Sequence, residues 1–148
     1  MKTLFAVVAT AAALSPLAAQ AQFAKPEDAI KYRQSAYSVL GTHFGRLGAM
    51  ANNRVPFDAK VATDNANLVA TLAKLPGAAF GAGTETGLNT RAKPEIWRDS
   101  AKFQAAYEKM LTETAKLPAA AADAATLRTQ FAATGATCKG CHDDFRRD

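Results

Sequence analysis

Near the end of the chain Cys138, Lys139, Gly140, Cys141 and His142 read CKGCH. Two thiols separated by two residues and followed at once by an imidazole form the C-x-x-C-H pattern of c-type haem attachment. In that chemistry the thiols add across the vinyl groups of the macrocycle, and the imidazole binds its iron. On a helix turning about 100° per residue, Cys141 and His142 fall roughly 60° and 40° to either side of Cys138, so one face presents all three groups. The thiols also admit a zinc site, a redox C-x-x-C or a structural disulfide. A structural zinc usually takes four ligands, and outside the motif the chain has no further cysteine and one further histidine, His43. A thioredoxin-like pair follows a strand in a βαβ unit, and no strand pattern precedes Cys138. Haem attachment is the favoured reading, with a redox thiol pair as its alternative.

The elements that must position this group begin after a leader. Met1 and Lys2 are followed by an apolar run, Leu4 to Leu14, interrupted only by Thr10, then by Pro16 and the A-x-A site Ala19, Gln20, Ala21. This is the pattern of a secretory signal peptide, too short for a membrane span of ~20 residues. Cleavage after Ala21 is expected, which divides the chain into a leader, residues 1–21, and one domain, residues 22–148. Export suits the motif, because bacterial haem attachment takes place outside the cytoplasm; the expected location is the periplasm. The full chain carries a formal charge of +5. Its basic residues are scattered rather than gathered in a stripe interleaved with aromatics, so no nucleic-acid surface is expected, nor any membrane attachment once the leader is gone.

Helical periodicity runs through the domain. Pro26 suits a first turn, Glu27 and Asp28 suit the positive end of a helix dipole, and Ile30, Tyr37, Leu40, Phe44 and Leu47 form a buried stripe. This helix should end near Met50 to Asn53, before Pro56. Asp58 can cap a second helix whose Val61, Leu68, Val69, Leu72 and Leu75 face inward, and Pro76 and Gly77 stop it. The glycine-rich connection from Pro76 to Pro94 is long for a compact bundle; it reads equally as a slack surface loop or as a flap over a cofactor edge. A third helix is expected from Pro94 to about Leu117, with Ile96, Phe103, Tyr107, Met110, Leu111 and Leu117 inward, ended by Pro118. Asp123 can cap a fourth, whose inner side is Leu127, Phe131, Cys138, Cys141, His142 and Phe145, with a local break near Gly135 as one option. Four amphipathic helices and no strand pattern predict an all-α protein, an antiparallel four-helix bundle with haem held near its C-terminus.

Several stretches carry a more specific likeness. The C-terminal CKGCHDDFR, a first helix reading KPEDAIKYRQSAY followed by HFGR, and LPGAAFGAGTETG followed by KPEIW resemble cytochrome c′, the class II c-type cytochrome family. The resemblance spans essentially all of residues 22–148. It implies one covalent haem c per chain on Cys138 and Cys141, His142 as the axial ligand and no protein ligand on the opposite side. It also implies a homodimer and binding of small diatomic gases, nitric oxide and carbon monoxide, with a redox partner protein for any electron transfer. By match to the family, Arg33, Gln34, Thr90 and Arg91 contact the haem without covalent bonds, and Arg146 lies beside the proximal imidazole. Tyr37 occupies the position that faces the iron and, with Leu40, forms the distal pocket.

The residues themselves agree with an open sixth position. Low-spin members supply methionine where this chain has Tyr37; Met50 lies far along the first helix, and Met110 reads as core. His43 is six residues past Tyr37, about 240° around the helix and turned away, so it reads as a solvated or interface residue. Phe80 and Trp97 read as packing residues. No acid–base pair is evident above the iron, so an enzyme is not expected. A six-coordinate electron carrier is the alternative function.

Overall fold

The computed structural model describes residues 22–148; the expected leader, residues 1–21, lies outside them. Helix α1, Pro26–Ala51, opens with its proline in the first turn and Glu27 and Asp28 beside the N-terminal dipole. It ends where Asn52 returns its side-chain amide to the Gly48 carbonyl and Asn53 adopts a left-handed conformation (φ 54°). The Arg128 guanidinium caps the freed Ala51 carbonyl from across the bundle at 2.9 Å. Helix α2, Ala59–Leu72, starts on Asp58, whose carboxylate accepts from the Val61 amide at 2.9 Å.

The expected third helix is two. A short α3, Glu95–Arg98, gives way at Asp99 to α4, Ser100–Ala120. The Asp99 carboxylate accepts from the Lys102 amide, a local bond that competes with helical continuation through Asp99 itself. Pro118 does not stop α4, which runs on to Ala120 and is closed by the Ala121 amide on the Leu117 carbonyl at 2.9 Å. The proline sits within the last turn and is followed by alanines, strong helix formers. Asp123 caps α5, Ala124–Phe145, by accepting from the Ala125 and Thr126 amides. No break occurs at Gly135; α5 is continuous through the haem motif.

The four long helices pack in a ring, α1 beside α2 and α5, and α4 beside α2 and α5. Ile30, Leu47, Val69, Leu117 and Leu127 are fully buried. One expectation fails along α2 and the turn that follows it: Val61, Leu68 and Leu75 are 46%, 44% and 37% exposed, whereas Ala62, Ala66, Val69 and Ala73 are wholly buried. The helix carries two adjacent apolar stripes, and the inner one is built mostly of alanine, which lets α2 sit close against its neighbours. A polar seam fixes α5 against α4. Gln130 donates to the Glu113 carbonyl and carboxylate, and buried Thr134 donates to the same carbonyl. That register sets which face of α5 turns inward.

The stretch between α2 and α3 is neither regular nor slack. It begins with a 3₁₀ turn, Pro76–Ala79, and ends in an antiparallel bridge between Ala92 and Arg146. Around that bridge the Lys93 amide donates to the Phe145 carbonyl at 2.9 Å, and the Arg147 amide to the Arg91 carbonyl at 2.8 Å. Gly87 (φ 104°) passes the Ile30 side chain, where an added Cβ would lie 3.7 Å from its Cδ1.

Candidate haem site

On α5 the two thiols are half-buried and free. Cys138 packs against the main core, which includes Leu40, Leu47, Tyr107 and Leu127. Cys141 packs against a second cluster formed by Ala92, Ile96, Phe103 and Phe145. The thiols therefore straddle the seam between two apolar bodies, and a cavity opens on the Cys141 side, which Cys138 does not line. Its walls are Phe80, Ile96, Phe103 and Phe145; Tyr37 and Thr90 also line it, with Cys141 and His142 on the α5 side and Arg33, Arg91 and Arg146 around it.

Burial pushes both thiols up; Cys141 is raised to about 11, where Cys138 and Asp144 add to the effect, whereas at Cys138 the Thr137 hydroxyl partly offsets it. A redox C-x-x-C has the opposite character, a thiol lowered into the reactive range. Among the described residues no three His, Cys, Asp or Glu side chains converge as they would on a metal ion. Two neutral thiols one turn apart, an adjacent imidazole, flat apolar walls and three guanidinium groups match the vinyls, iron, ring and carboxylates of a haem. The residues present fit that group.

The expected site residues fall as follows. The Tyr37 hydroxyl lies within electrostatic reach of both thiols and of Tyr107, and burial, the largest influence, raises it well above an ordinary phenol. It is therefore a protonated donor. His142 is lowered first by burial, then by the nearby positive charges of Arg146 and Arg91, so its ring nitrogen is available to a metal at neutral pH. Arg146 follows the last residue of α5, its amide on the His142 carbonyl at 3.0 Å. Arg91 lines the cavity, its Nε donating to the Arg147 carbonyl at 2.9 Å.

Thr90 turns its hydroxyl to Arg33 at 2.9 Å. Gln34 is exposed and donates to the Leu88 carbonyl at 3.0 Å. Leu40 is buried in the main core cluster that Cys138 packs against and is not among the residues lining the cavity. Arg33 is 3% exposed, and its terminal nitrogens bond to the Ala79 carbonyl, the Thr84 hydroxyl and carbonyl, and the Thr90 hydroxyl.

His43 is turned from the cavity, as its helical position requires. The Asn65 amide donates to the Val61 carbonyl at 2.7 Å, so its oxygen is the acceptor for His43 Nδ1 at 2.8 Å. Met50 and Met110 are buried in the main core.

Sequence reasoning missed Thr84, whose hydroxyl and carbonyl hold Arg33, and undervalued Phe80 and Trp97. Phe80 lies under the Arg33 guanidinium at 4.6 Å, and the Trp97 indole donates to the Phe80 carbonyl at 2.8 Å. An aromatic pair flanking a glycine-rich stretch is the one signal that pointed to them.

Comparison with known proteins bears on the same residues. The family model for cytochrome c′ matches residues 28–146. The cytochrome c′ of Rubrivivax gelatinosus is 52% identical over 127 residues, covering 84% of this chain and 98% of that one. Its crystal structure agrees with a TM-score of 0.83 over 85% of this chain and 100% of that one. A nitric oxide complex of a variant cytochrome c′ from Alcaligenes xylosoxidans is 45% identical with a TM-score of 0.80, covering 86% of this chain and 99% of that one. A carbon monoxide-bound variant from that organism is likewise 45% identical at 0.80, covering 86% of this chain and 100% of that one. A bundle with its haem motif at the end of the last helix, matched this fully in sequence and in shape, belongs to the cytochrome c′ family of haem proteins.

Proposed function

We propose that this chain is a periplasmic c-type haem protein whose five-coordinate iron binds nitric oxide and carbon monoxide. Cys138 and Cys141 would hold one haem c covalently, and His142 would be its axial ligand. Bound there, the iron supplies reversible coordination of a neutral diatomic and a one-electron redox couple. The observation that supports the reading is that no histidine or methionine other than His142 lines the cavity among the described residues. His43 is tied to Asn65, and Met50 and Met110 lie in the main core. The gas complexes of Alcaligenes xylosoxidans variants support the choice of ligands.

The chain's own residues shape what enters. Tyr37 keeps its hydroxyl protonated and its ring across the distal side, so only small ligands pass. Phe80, Ile96, Phe103 and Phe145 exclude water, and Arg91 and Arg146 offer positive charge to the haem carboxylates. Arg33, Gln34 and Thr90 belong to the same rim. The function is scavenging or buffering of nitric oxide, with electron transfer to a redox partner as a secondary role. Among the described residues no helix is long and apolar enough to cross a membrane.

A homodimer is part of the proposal. Val39 of α1 and Val61 and Leu68 of α2 are each nearly half exposed on a neighbouring helix pair, an apolar surface suited to a second copy.

Optical spectra of the oxidised and reduced holoprotein, with and without nitric oxide, test the central claim. A high-spin spectrum that shifts on addition of the gas is expected. A low-spin spectrum unmoved by it would overturn the reading in favour of a six-coordinate electron carrier.

A further inference from the structure

We propose that Arg33 is the fastener of the strap formed by residues 79–92, and that its grip sets how freely small ligands reach the cavity. The ligand half of the proposal rests on the gas-binding reading above; the fastening does not.

Arg33 is a buried cation with no carboxylate in ion-pair contact among the described residues. Such a charge is costly unless its donors are met. Here they are met by the strap. Nη1 donates to the Ala79 carbonyl at 2.8 Å and the Thr84 hydroxyl at 2.9 Å. Nη2 donates to the Thr84 carbonyl at 2.7 Å and the Thr90 hydroxyl at 2.9 Å. One planar group thus joins the beginning, middle and end of the segment, while Phe80 and Trp97 cover it at 4.6 and 5.8 Å.

Apart from Arg33, the strap is tied near its ends, by the Trp97 indole on the Phe80 and Gly81 carbonyls and by the Ala92–Arg146 bridge, and once between by Gln34 on the Leu88 carbonyl; only Arg33 joins its beginning, middle and end. Its own backbone bonds are Thr84 to Gly81 at 3.3 Å and Thr90 to Gly87 at 2.9 Å. Leu88 and Asn89 are both left-handed, at φ 45° and 52°, and a leucine does not take that conformation unless its surroundings impose it. Phe80, Thr90, Arg91 and Ala92 of the same segment line the cavity. Loosening Arg33 therefore loosens one wall of the cavity. Lysine cannot replace it, because a single ammonium lacks the fork that reaches three acceptor residues at once. With its terminal nitrogens engaged by the strap, Arg33 acts on the haem as a positioning residue and a fixed charge.

The test uses the holoprotein in three forms, Arg33→Lys, Arg33→Met and the double variant Thr84→Val with Thr90→Val. Amide hydrogen exchange of residues 80–92 should accelerate about tenfold or more in all three, with α4 unchanged. Carbon monoxide association, followed after flash photolysis, should speed up several-fold in parallel. The reduction potential should fall further in Arg33→Met, which removes the charge, than in Arg33→Lys, which keeps it. The threonine variant retains the buried guanidinium, so it tests the grip even where an arginine variant does not fold. Unchanged exchange in the strap overturns the proposal; faster exchange with unchanged carbon monoxide association overturns its gating half. A holoprotein that binds neither gas defeats the functional reading, while exchange still decides the fastening.

Discussion

Tyr107→Phe removes one oxygen and no volume from the packed core, so its effect isolates two hydrogen bonds. The Tyr107 hydroxyl donates to the Ala73 carbonyl at 2.6 Å and accepts from the Gly77 amide at 3.0 Å. The first satisfies a carbonyl released just past the end of α2, the second fixes the turn that starts the strap. Tyr107 is 6% exposed and Ala73 wholly buried, so water cannot readily stand in. Each neutral bond contributes about 1 kcal/mol, and leaving a buried carbonyl unmet costs about 1–3 more. Burying a phenol has its own cost, which phenylalanine avoids, yet the two orphaned partners outweigh it. A loss of about 2–3 kcal/mol follows, or roughly 10 °C in Tm for a domain of this length. Guanidinium unfolding of the holoprotein, followed by far-UV circular dichroism, measures it as a lower midpoint at unchanged slope. A loss under about 0.5 kcal/mol would refute the assignment of these bonds as anchors of the strap.

Gly48 and Gly41 on α1 should respond oppositely to alanine. At Gly48 the new Cβ would stand 2.7 Å from the Phe131 ring, an overlap costing about 1–3 kcal/mol, which exceeds the helical gain of about 1 kcal/mol. Gly41 has nothing within 4 Å, so thermal melts should show Gly41→Ala stabilised and Gly48→Ala destabilised. Tyr37→Ala should accelerate carbon monoxide binding far more than Tyr37→Phe, since the ring restricts entry and the hydroxyl only donates; equal rates in flash photolysis would contradict this. Leu68→Lys should convert a dimer to monomer by light scattering, and leave the spectrum of the haem unaltered. Asp123 is held below the ordinary carboxylate range by the Thr126 amide and then the Ala125 amide. Its folded value is the lower one, so its stabilising contribution is full above the unfolded value and is lost as pH falls through the folded value. Asp123→Asn keeps a cap without a proton to gain, and its stability should fall less steeply on acidification.

The haem motif and α1 were legible because both are local: a spacing of ligands, a proline in the first turn, and large aliphatics at Ile30, Leu40 and Leu47 that are indeed buried. On α2 the same rule misled. Val61, Leu68 and Leu75 follow a helical period as well as Ala62, Ala66, Val69 and Ala73 do, and the larger side chains drew the inward assignment. Close helix packing reverses it, because the inner stripe must be small where two backbones approach. Pro118 and Asp99 show a related limit. Either can end a helix, and which one does depends on whether a side chain offers the backbone another bond, as Asp99 does. The strap was least legible, because half of the bonds by which Arg33 grips it go to carbonyls. Backbone acceptors are present at every position and have no signature in sequence.

The charge around the cavity connects fold to function. Arg33, Arg91 and Arg146 all line it, and no aspartate or glutamate does among the described residues. A surface with such a bias is ordinary; a half-enclosed apolar cleft is not, because low-dielectric walls strengthen each charge. The three cations are also not equivalent. Arg33 spends its terminal donors on the strap, whereas Arg91 and Arg146 form no ion pair among the described residues. The latter two are therefore the cations freer to meet an anionic group at the cavity, and Arg33 is a buried charge without an ion pair among the described residues. Were haem held there as proposed, positive charge beside it would disfavour the ferric relative to the ferrous state. Among the described residues the cavity combines one phenol donor, Tyr37, with aromatic and aliphatic walls and three guanidinium groups. On the proposed reading, a small neutral gas held there would find apolar contact on most sides and a single hydroxyl able to donate to it.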